Sequence, residues 1–159
     1  MTTKLCCDVL AALKGRTLVT AESCTGGGIG AALTAIPGSS AVYKGGVISY
    51  TDWVKHTVLG VSLELLNREG AVSAPVAEAM AEGARSCLQA DVAVSVTGLA
   101  GPDSDSSGKP VGTVFIGYSD NKKTVSREFY FSGDRDQIRR KATDAALEII
   151  LENNHPECI

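Results

Sequence analysis

Residues 21–28 read A-E-S-C-T-G-G-G and combine hydroxyl groups, a thiol and glycines in one short run. The residues before this run are apolar and β-branched, and those after it are small and apolar, which predicts a strand-to-helix turn. In open α/β sheets such turns bind ligands, because glycines let the backbone come close and free N–H groups favour negative charge. We therefore predict the active site here, with a hydroxyl as nucleophile and the following N–H groups as donors to an oxyanion.

Three alternatives stay open on these residues alone. Ser23 or Thr25 could simply cap the helix, which is the commonest role of such residues at this position. The run could instead cradle a phosphate, although it matches neither G-x-G-x-x-G nor G-x-x-x-x-G-K-[ST], and it lacks G-x-S-x-G as well. Cys24 is a rival nucleophile because thiolates also attack amides, and as the direct neighbour of Ser23 it should point a different way.

Two further predicted strands end in residues that could join this site. One runs into the small-residue turn T-G-L-A-G-P, which starts at Thr97, and another ends at Tyr50, with Lys55 following in the spacing Y-x-x-x-x-K. A serine and a lysine form a workable nucleophile and base when burial or neighbouring positive charge lowers the pKa of the lysine. We expect these side chains at one edge of the sheet. The alternative is that none of them takes part in a reaction: Lys55 would then be an exposed lysine, Tyr50 would pack on the core, and Thr97 would cap its turn.

The other titratable side chains give no comparable pattern. His56 and His155 have no spacing with Asp or Cys that indicates a triad. Arg139, Arg140 and Lys141 form a basic cluster near the start of the last predicted helix. This cluster could meet a phosphate or could simply face solvent.

Apolar periodicity and turn residues predict an α/β fold, a single-domain three-layer α/β/α sandwich with a mixed sheet. We expect one domain over residues 1–159 with its core at about 4–153. Ser73 should cap a long helix, Asp134 and Gln137 should form a capping box, and the pair Gly45 and Gly46 predicts a bulge or a close backbone approach. The predicted helices span residues 5–14, 29–35, 53–58, 61–67, 75–88 and 135–152, and the strands 17–20, 41–50, 91–97, 111–118 and 123–131.

Composition and charge exclude several classes of protein. With 159 residues, 44% hydrophobic and 21% charged, the chain is typical of a globular domain that buries a substantial core. A net charge of −3 argues against nucleic acid as a main partner. Neither a signal peptide nor an apolar run of about 20 residues is visible, so we expect a cytoplasmic protein with no membrane partner.

Cysteine usage argues against cross-linking and against a metal site. The five cysteines are odd in number and form no C-x-x-C pair. We therefore expect neither a disulfide framework nor a zinc site. Apart from Cys24, we interpret the cysteines as core or terminal thiols, namely Cys6, Cys7, Cys87 and Cys158.

Taken together, the motifs resemble the CinA C-terminal domain family, whose stand-alone members are nicotinamide mononucleotide amidohydrolases of the PncC type. The resemblance follows the chain in order over nearly its whole length. It is carried by T-A-E-S-C-T-G-G at 20–27, P-G-S-S at 37–40, G-A-V-S at 70–73, T-G-L-A-G-P at 97–102, K-P-V-G-T-V at 109–114 and F-S-G-D-R at 131–135.

The resemblance implies hydrolysis of the carboxamide of nicotinamide mononucleotide to nicotinate mononucleotide and ammonia. The family's serine falls on Ser23 and its lysine on Lys55, with the tyrosine at Tyr50 and the turn hydroxyl at Thr97. Neutral Lys55 would take the proton of Ser23, and water would resolve the resulting ester, with no metal and no cofactor. Some of the expected substrate-binding residues should donate N–H groups to the oxyanion, near Thr25 and Gly26, and others are candidate partners of the phosphate. The full set is Thr25, Gly26, Gly27, Gly98, Ala100, Gly101, Lys109, Arg139 and Arg140.

Two other functions are compatible with the same residues. One is a non-catalytic pyridine-nucleotide-binding or regulatory module, and the other is a hydrolase of a different amide. A homodimer or other homo-oligomer is the default expectation for assembly.

Overall fold

A five-stranded sheet organises residues 1–155, the part of the chain that the computed structural model describes. Its elements are α1 (Thr2–Ala12), β1 (Leu18–Glu22), α2 (Gly28–Thr34), a 3₁₀ helix (Ser39–Ala41), β2 (Tyr43–Ile48), α3 (Asp52–Thr57), α4 (Leu63–Glu69), α5 (Ala74–Cys87), β3 (Val92–Gly98), β4 (Thr113–Ser119), β5 (Thr124–Tyr130) and α6 (Arg135–Asn153).

The sheet is mixed, as the sequence predicted. Its strand order is β2-β1-β3-β4-β5, with β2, β1 and β3 parallel and with β4 and β5 antiparallel to their neighbours. Helices α1, α2 and α6 pack together on one face, and α5 covers the other with α4 beside it. The predicted α/β/α sandwich is therefore confirmed.

Each face of the sheet has its own apolar core. Between the sheet and α6 lie fully buried branched side chains such as Val94, Ile116 and Ile150. On the other face, Val19 packs with Met80 of α5. These two layers of packed side chains fix the sheet between its helices, and they hold the strand ends where the predicted site residues lie.

Several local predictions are confirmed and one is wrong. The register of β2 against β1 shifts between Tyr43 and Gly45, where the glycine pair predicted a bulge or a close backbone approach, and Asp134 and Gln137 form the predicted capping box at the start of α6. Ser73 occupies the N-cap position of α5, but its hydroxyl donates to the Gly70 carbonyl at 2.8 Å instead of accepting from the helix. Its side chain thus closes the preceding turn, which leaves the capping prediction incorrect.

The cysteines of residues 1–155 all carry free thiols. Cys6 and Cys24 are buried, whereas Cys7 and Cys87 are exposed, and Cys158 lies outside the described residues. No helix in residues 1–155 has the length and apolar character needed to cross a membrane.

Candidate active site

The carboxyl ends of the three parallel strands lie side by side at one edge of the sheet. The Ser49 N–H donates to the Glu22 carbonyl at 2.8 Å, and the Ser23 N–H donates to the Val96 carbonyl at 2.9 Å. These two bonds continue the strand ladders past the ends of β1 and β2. They hold Ser23 between the end of β2 and Thr97 on β3.

A cavity of ≈ 270 Å³ opens at this edge. The structure brings Ser23, Tyr50, Lys55 and Thr97 together in its wall, although these residues come from three different strand ends. The complete lining is Ser23, Cys24, Tyr50, Asp52, Lys55, Ala71, Val72, Thr97, Gly98, Leu99, Ala100, Gly101, Asp103 and Arg135.

Lys55 is buried, with 1% of its surface exposed. Its Nζ lies 3.0 Å from Ser23 Oγ and 2.8 Å from the Ser49 carbonyl, to which it donates. Burial lowers the pKa of Lys55 from its ordinary value, while the negative charge of Asp52 acts in the opposite direction, as does Cys24 when its thiol is ionised. The neutral amine, which has a free lone pair, is thereby favoured at the position where a base for Ser23 must stand.

Cys24 is poorly suited to compete with Ser23 as the nucleophile. Burial raises the pKa of its thiol to about 11, which keeps the sulfur protonated at neutral pH. The hydroxyl of Ser23, in contrast, lies in hydrogen-bond contact with the Lys55 amine. The geometry therefore favours Ser23.

The start of α2 is organised by Glu22, which the sequence analysis did not single out. Its carboxylate accepts from the N–H groups of Ile29 and Gly30 at 2.8 and 3.0 Å, and from the hydroxyls of Thr25 and Thr20 at 2.8 and 3.3 Å. The free helix N–H groups expected there are thus occupied by an internal carboxylate. The clue in the sequence was a single acidic residue between a buried strand and a helix start.

The expected helix caps and oxyanion donors need correction. The N-cap residue of α2 is Gly27, with φ at 99°, so neither Ser23 nor Thr25 caps the helix. The Gly26 N–H donates to the Ser23 carbonyl at 3.0 Å and is not free to hold an oxyanion. Within residues 1–155, the N–H groups of Cys24 and Thr25 carry no such bond, and they remain as the candidate donors of this turn.

The glycine turn after β3 is shaped by packing against β4. A Cβ on Gly98 would stand 2.6 Å from the Val114 side chain and 2.9 Å from the Thr113 carbonyl, so the strand pair requires a glycine. Ala100 is buried against the core, and the Thr97 hydroxyl donates to the Ala71 carbonyl at 2.8 Å. This turn forms a firm wall of the cavity.

Three basic residues expected at the substrate phosphate lie outside this cavity lining. Arg139 donates through Nε to the Cys24 carbonyl at 3.0 Å and through Nη2 to the Thr25 carbonyl at 3.1 Å, so it braces the turn from the α6 side. Arg140 points to an exposed partner on its own helix, and the Lys109 amine donates to the Val72 carbonyl.

Arg135 is the guanidinium that does line the cavity. It donates to the Gly101 carbonyl at 2.6 Å and to the Tyr50 hydroxyl at 3.2 Å. Arg135 therefore links the turn after β3 to the segment that follows β2. Sequence reasoning quoted Arg135 within a motif but assigned the phosphate to residues one turn further along α6. Its position directly after the predicted N-cap Asp134 was the available signal, since a first-turn residue projects beyond the sheet edge.

The histidines and acidic side chains give no further constellation. His56 is exposed and its Nδ1 lies 2.7 Å from the Val61 carbonyl, while His155 is exposed near the end of the described chain. Over residues 1–155, no group of three or more His, Cys, Asp or Glu side chains is arranged to hold a metal ion.

Comparison with known proteins shows similarity over almost the whole chain. The family described as CinA C-terminal domain matches residues 3–153. A CinA-like protein of Thermosynechococcus vestitus is 51% identical over 138 residues, which cover 85% of this chain and 33% of the relative, so the chain spans about a third of that protein. The nicotinamide-nucleotide amidohydrolase PncC of Pseudomonas putida is 46% identical over 135 residues, covering 85% of this chain and 84% of that protein.

Solved structures extend the similarity to three dimensions. The crystal structure of the competence/damage inducible protein CihA of Agrobacterium tumefaciens superimposes with a TM-score of 0.93 at 39% identity. The match covers 97% of this chain and 96% of that chain. The α/β/α arrangement described above is therefore shared with proteins of known structure.

Proposed function

The chain belongs to the CinA C-terminal domain family, and from this premise we propose that it hydrolyses the carboxamide of nicotinamide mononucleotide to nicotinate mononucleotide and ammonia. The proposal is supported by the 46% identity to a protein named nicotinamide-nucleotide amidohydrolase, of which the chain covers 84%. It is also supported by a cavity whose reactive groups are suited to acyl transfer. The observation that carries the proposal is the 3.0 Å contact between Lys55 Nζ and Ser23 Oγ.

In the proposed first half of the reaction, Ser23 is acylated by the substrate. Neutral Lys55 takes the hydroxyl proton while Oγ forms a bond to the amide carbon, and the carbonyl oxygen becomes an oxyanion. The N–H groups of Cys24 and Thr25 donate to that oxyanion. The C–N bond then breaks, the nitrogen takes the proton back from the Lys55 ammonium, and ammonia leaves.

In the proposed second half, water resolves the ester. Lys55, neutral again, takes a proton from the attacking water, whose oxygen bonds to the acyl carbon. The bond to Ser23 Oγ breaks and this oxygen recovers a proton from Lys55, which releases nicotinate mononucleotide as the acid. The Ser49 carbonyl, which accepts from Lys55 at 2.8 Å, keeps the amine aimed at the reacting atoms in both halves.

The cavity also offers groups for each charged part of the substrate. Asp52 and Asp103 line it and can face the pyridinium cation, whose charge makes the amide carbon more electrophilic. Arg135 at the rim is our candidate for the 5′-phosphate, because its guanidinium retains N–H donors beyond those used on Gly101 and Tyr50. Lys109, held at the Val72 wall, is a second candidate.

The test is ammonia release from nicotinamide mononucleotide by the wild-type protein, Ser23→Ala and the matched neighbour variant Cys24→Ala. We expect release by wild type and Cys24→Ala, and a loss of at least about 10³-fold in Ser23→Ala, since the acyl-enzyme route is then closed. Activity lost only in Cys24→Ala would reverse the choice of nucleophile. Binding of the nucleotide by calorimetry without ammonia release from any variant would favour the non-catalytic module.

A further inference from the structure

A second cavity, of ≈ 240 Å³, adjoins the Ser23 turn and shares none of its lining residues with the first. It lies between α2 and α6, with the first turn of α1 at its side. Its lining is Thr2, Thr25, Gly28, Ala32, Asp136, Arg139, Arg140 and Thr143. The reaction proposed above uses no side chain of this cavity.

The donors of this cavity are two guanidinium groups. Of the five N–H groups of Arg139, one on Nε and one on Nη2 bond the Cys24 and Thr25 carbonyls, and the other three have no partner in the described part of the chain. Among residues 1–155, Arg140 pairs with Asp136, at 3.8 Å, and both side chains of that pair are more than two-thirds exposed. Such surface pairs contribute little free energy, so a stronger acceptor can replace the Asp136 carboxylate.

The hydroxyls around the cavity already act as donors to the protein. Thr2 donates to Asp144 at 2.6 Å, Thr143 to the Arg139 carbonyl at 3.0 Å, and Thr25 to Glu22. Among the lining residues, the two guanidinium charges of Arg139 and Arg140 outnumber the one carboxylate, Asp136. Planar forked donors of this kind suit a phosphate group, to which each guanidinium can present two parallel N–H bonds.

We propose that this second cavity binds a small phosphate-bearing anion through Arg139 and Arg140. With two adjacent guanidinium groups and a volume of ≈ 240 Å³, it suits inorganic phosphate or a short phosphate ester.

The same arginine couples this cavity to the Ser23 turn. Arg139 bonds the two carbonyls directly after Ser23 through Nε and Nη2, and a ligand on its other N–H groups would hold the same planar guanidinium. Ligand binding is therefore transmitted to Cys24 and Thr25, whose N–H groups are the candidate oxyanion donors. A small phosphate in this cavity acts on the catalytic turn from outside the substrate cavity.

The experiment is a titration of the ¹⁵N-labelled protein with inorganic phosphate at constant ionic strength, followed by amide resonances. We expect saturable shifts at Gly28, Ala32 and Arg140, with accompanying shifts at Cys24 and Thr25. Arg140→Ala should weaken phosphate binding about tenfold or more, since it removes charge-assisted hydrogen bonds. Lys141→Ala is the matched control, because it removes the same charge from the next, exposed position of α6 and should bind phosphate as the wild type does.

Two results would overturn the proposal. Shifts confined to the turn at 97–102 and abolished by Arg135→Ala would place the phosphate in the substrate cavity. Shifts that fail to saturate, or that weaken equally in Arg140→Ala and Lys141→Ala, would show general screening of a basic helix surface. Neither result depends on whether the protein releases ammonia.

Discussion

Glu22 and Lys55 are two buried ionisable side chains at the same edge of the sheet, and they differ in how completely they are paired. Glu22 is 2% exposed and its two oxygens receive four hydrogen bonds, one from Thr20 on its own strand and three from the turn and the helix that follow. Lys55 is 1% exposed and its amine contacts two oxygens, one of which belongs to Ser23.

This difference separates a group that holds the fold from a group that can react. A buried carboxylate that accepts four hydrogen bonds within the protein has no capacity left for a substrate. A buried ammonium with three N–H groups and two acceptors is incompletely satisfied, which favours the neutral amine with its lone pair. Burial alone therefore does not identify a catalytic residue, whereas burial with incomplete pairing beside a hydroxyl points to one.

The largest expected effect is that of Lys55→Met on turnover. Removing a general base typically lowers the rate by about 10²–10⁴-fold, and methionine keeps most of the volume of the side chain. Because an apolar replacement removes a desolvated amine, we expect the free energy of unfolding to stay equal or to rise. Ammonia release measures the effect on turnover, and urea unfolding measures the effect on stability. A destabilised but active variant would contradict the reactive role.

Glu22→Ala should have the opposite signature. It leaves four buried or half-buried donors without their acceptor, so we expect the free energy of unfolding to fall by about 3 kcal/mol or more. Glu22→Gln is the matched variant, because it keeps one oxygen and the shape of the side chain, and it should lose less. Urea unfolding of the two variants measures the difference. A Glu22→Ala protein as stable as the wild type would show that the four hydrogen bonds are not what holds the turn.

The pH dependence of turnover should reveal the lowered pKa of Lys55. Only the neutral amine accepts a proton, so kcat/KM should rise about tenfold per pH unit and level off below the ordinary lysine pKa of 10.5. Between the lowered pKa of Lys55 in the folded protein and the ordinary lysine pKa of the unfolded chain, the unfolded chain binds more protons. The free energy of unfolding should therefore also rise with pH in that range. Asp52→Asn removes a charge that raises this pKa, and its rate profile should therefore shift to lower pH. A profile with no such shift would show that this charge does not act on Lys55.

The smallest effect is expected for Ser49→Ala. The main-chain carbonyl of Ser49 holds Lys55, while its own buried hydroxyl has no hydrogen-bond partner among residues 1–155. Removing an unpaired hydroxyl should leave turnover within about twofold of the wild type and stability unchanged or slightly higher. Steady-state kinetics and thermal unfolding test this, and a large loss of activity would indicate that the side chain takes part in orienting the amine.

Sequence reasoning placed the strands and most helices because periodicity and turn residues are local signals. It brought Ser23, Lys55 and Thr97 to one edge because the carboxyl ends of parallel strands meet there. It missed Glu22, since the role of that side chain appears only when the chain folds back onto the N–H groups of Ile29 and Gly30.

The choice among arginines on α6 could not be made from the sequence for a different reason. Arg135 and Arg139 are one helical turn apart, and nothing in their spacing tells which turn reaches past the end of β3. Only the packing of α6 against the sheet decides that Arg135 faces the substrate cavity and Arg139 the carbonyls behind the turn.

The internal carboxylate of Glu22 also limits what the start of α2 can bind. Many turns of this kind bind a phosphate on their helix N–H groups, but here the N–H groups of Ile29 and Gly30 already donate to Glu22. A phosphate that approached this helix start would find those two donors occupied. The buried carboxylate thus leaves the recognition of a phosphate to side-chain donors elsewhere in the chain, such as the Arg135 guanidinium at the substrate cavity.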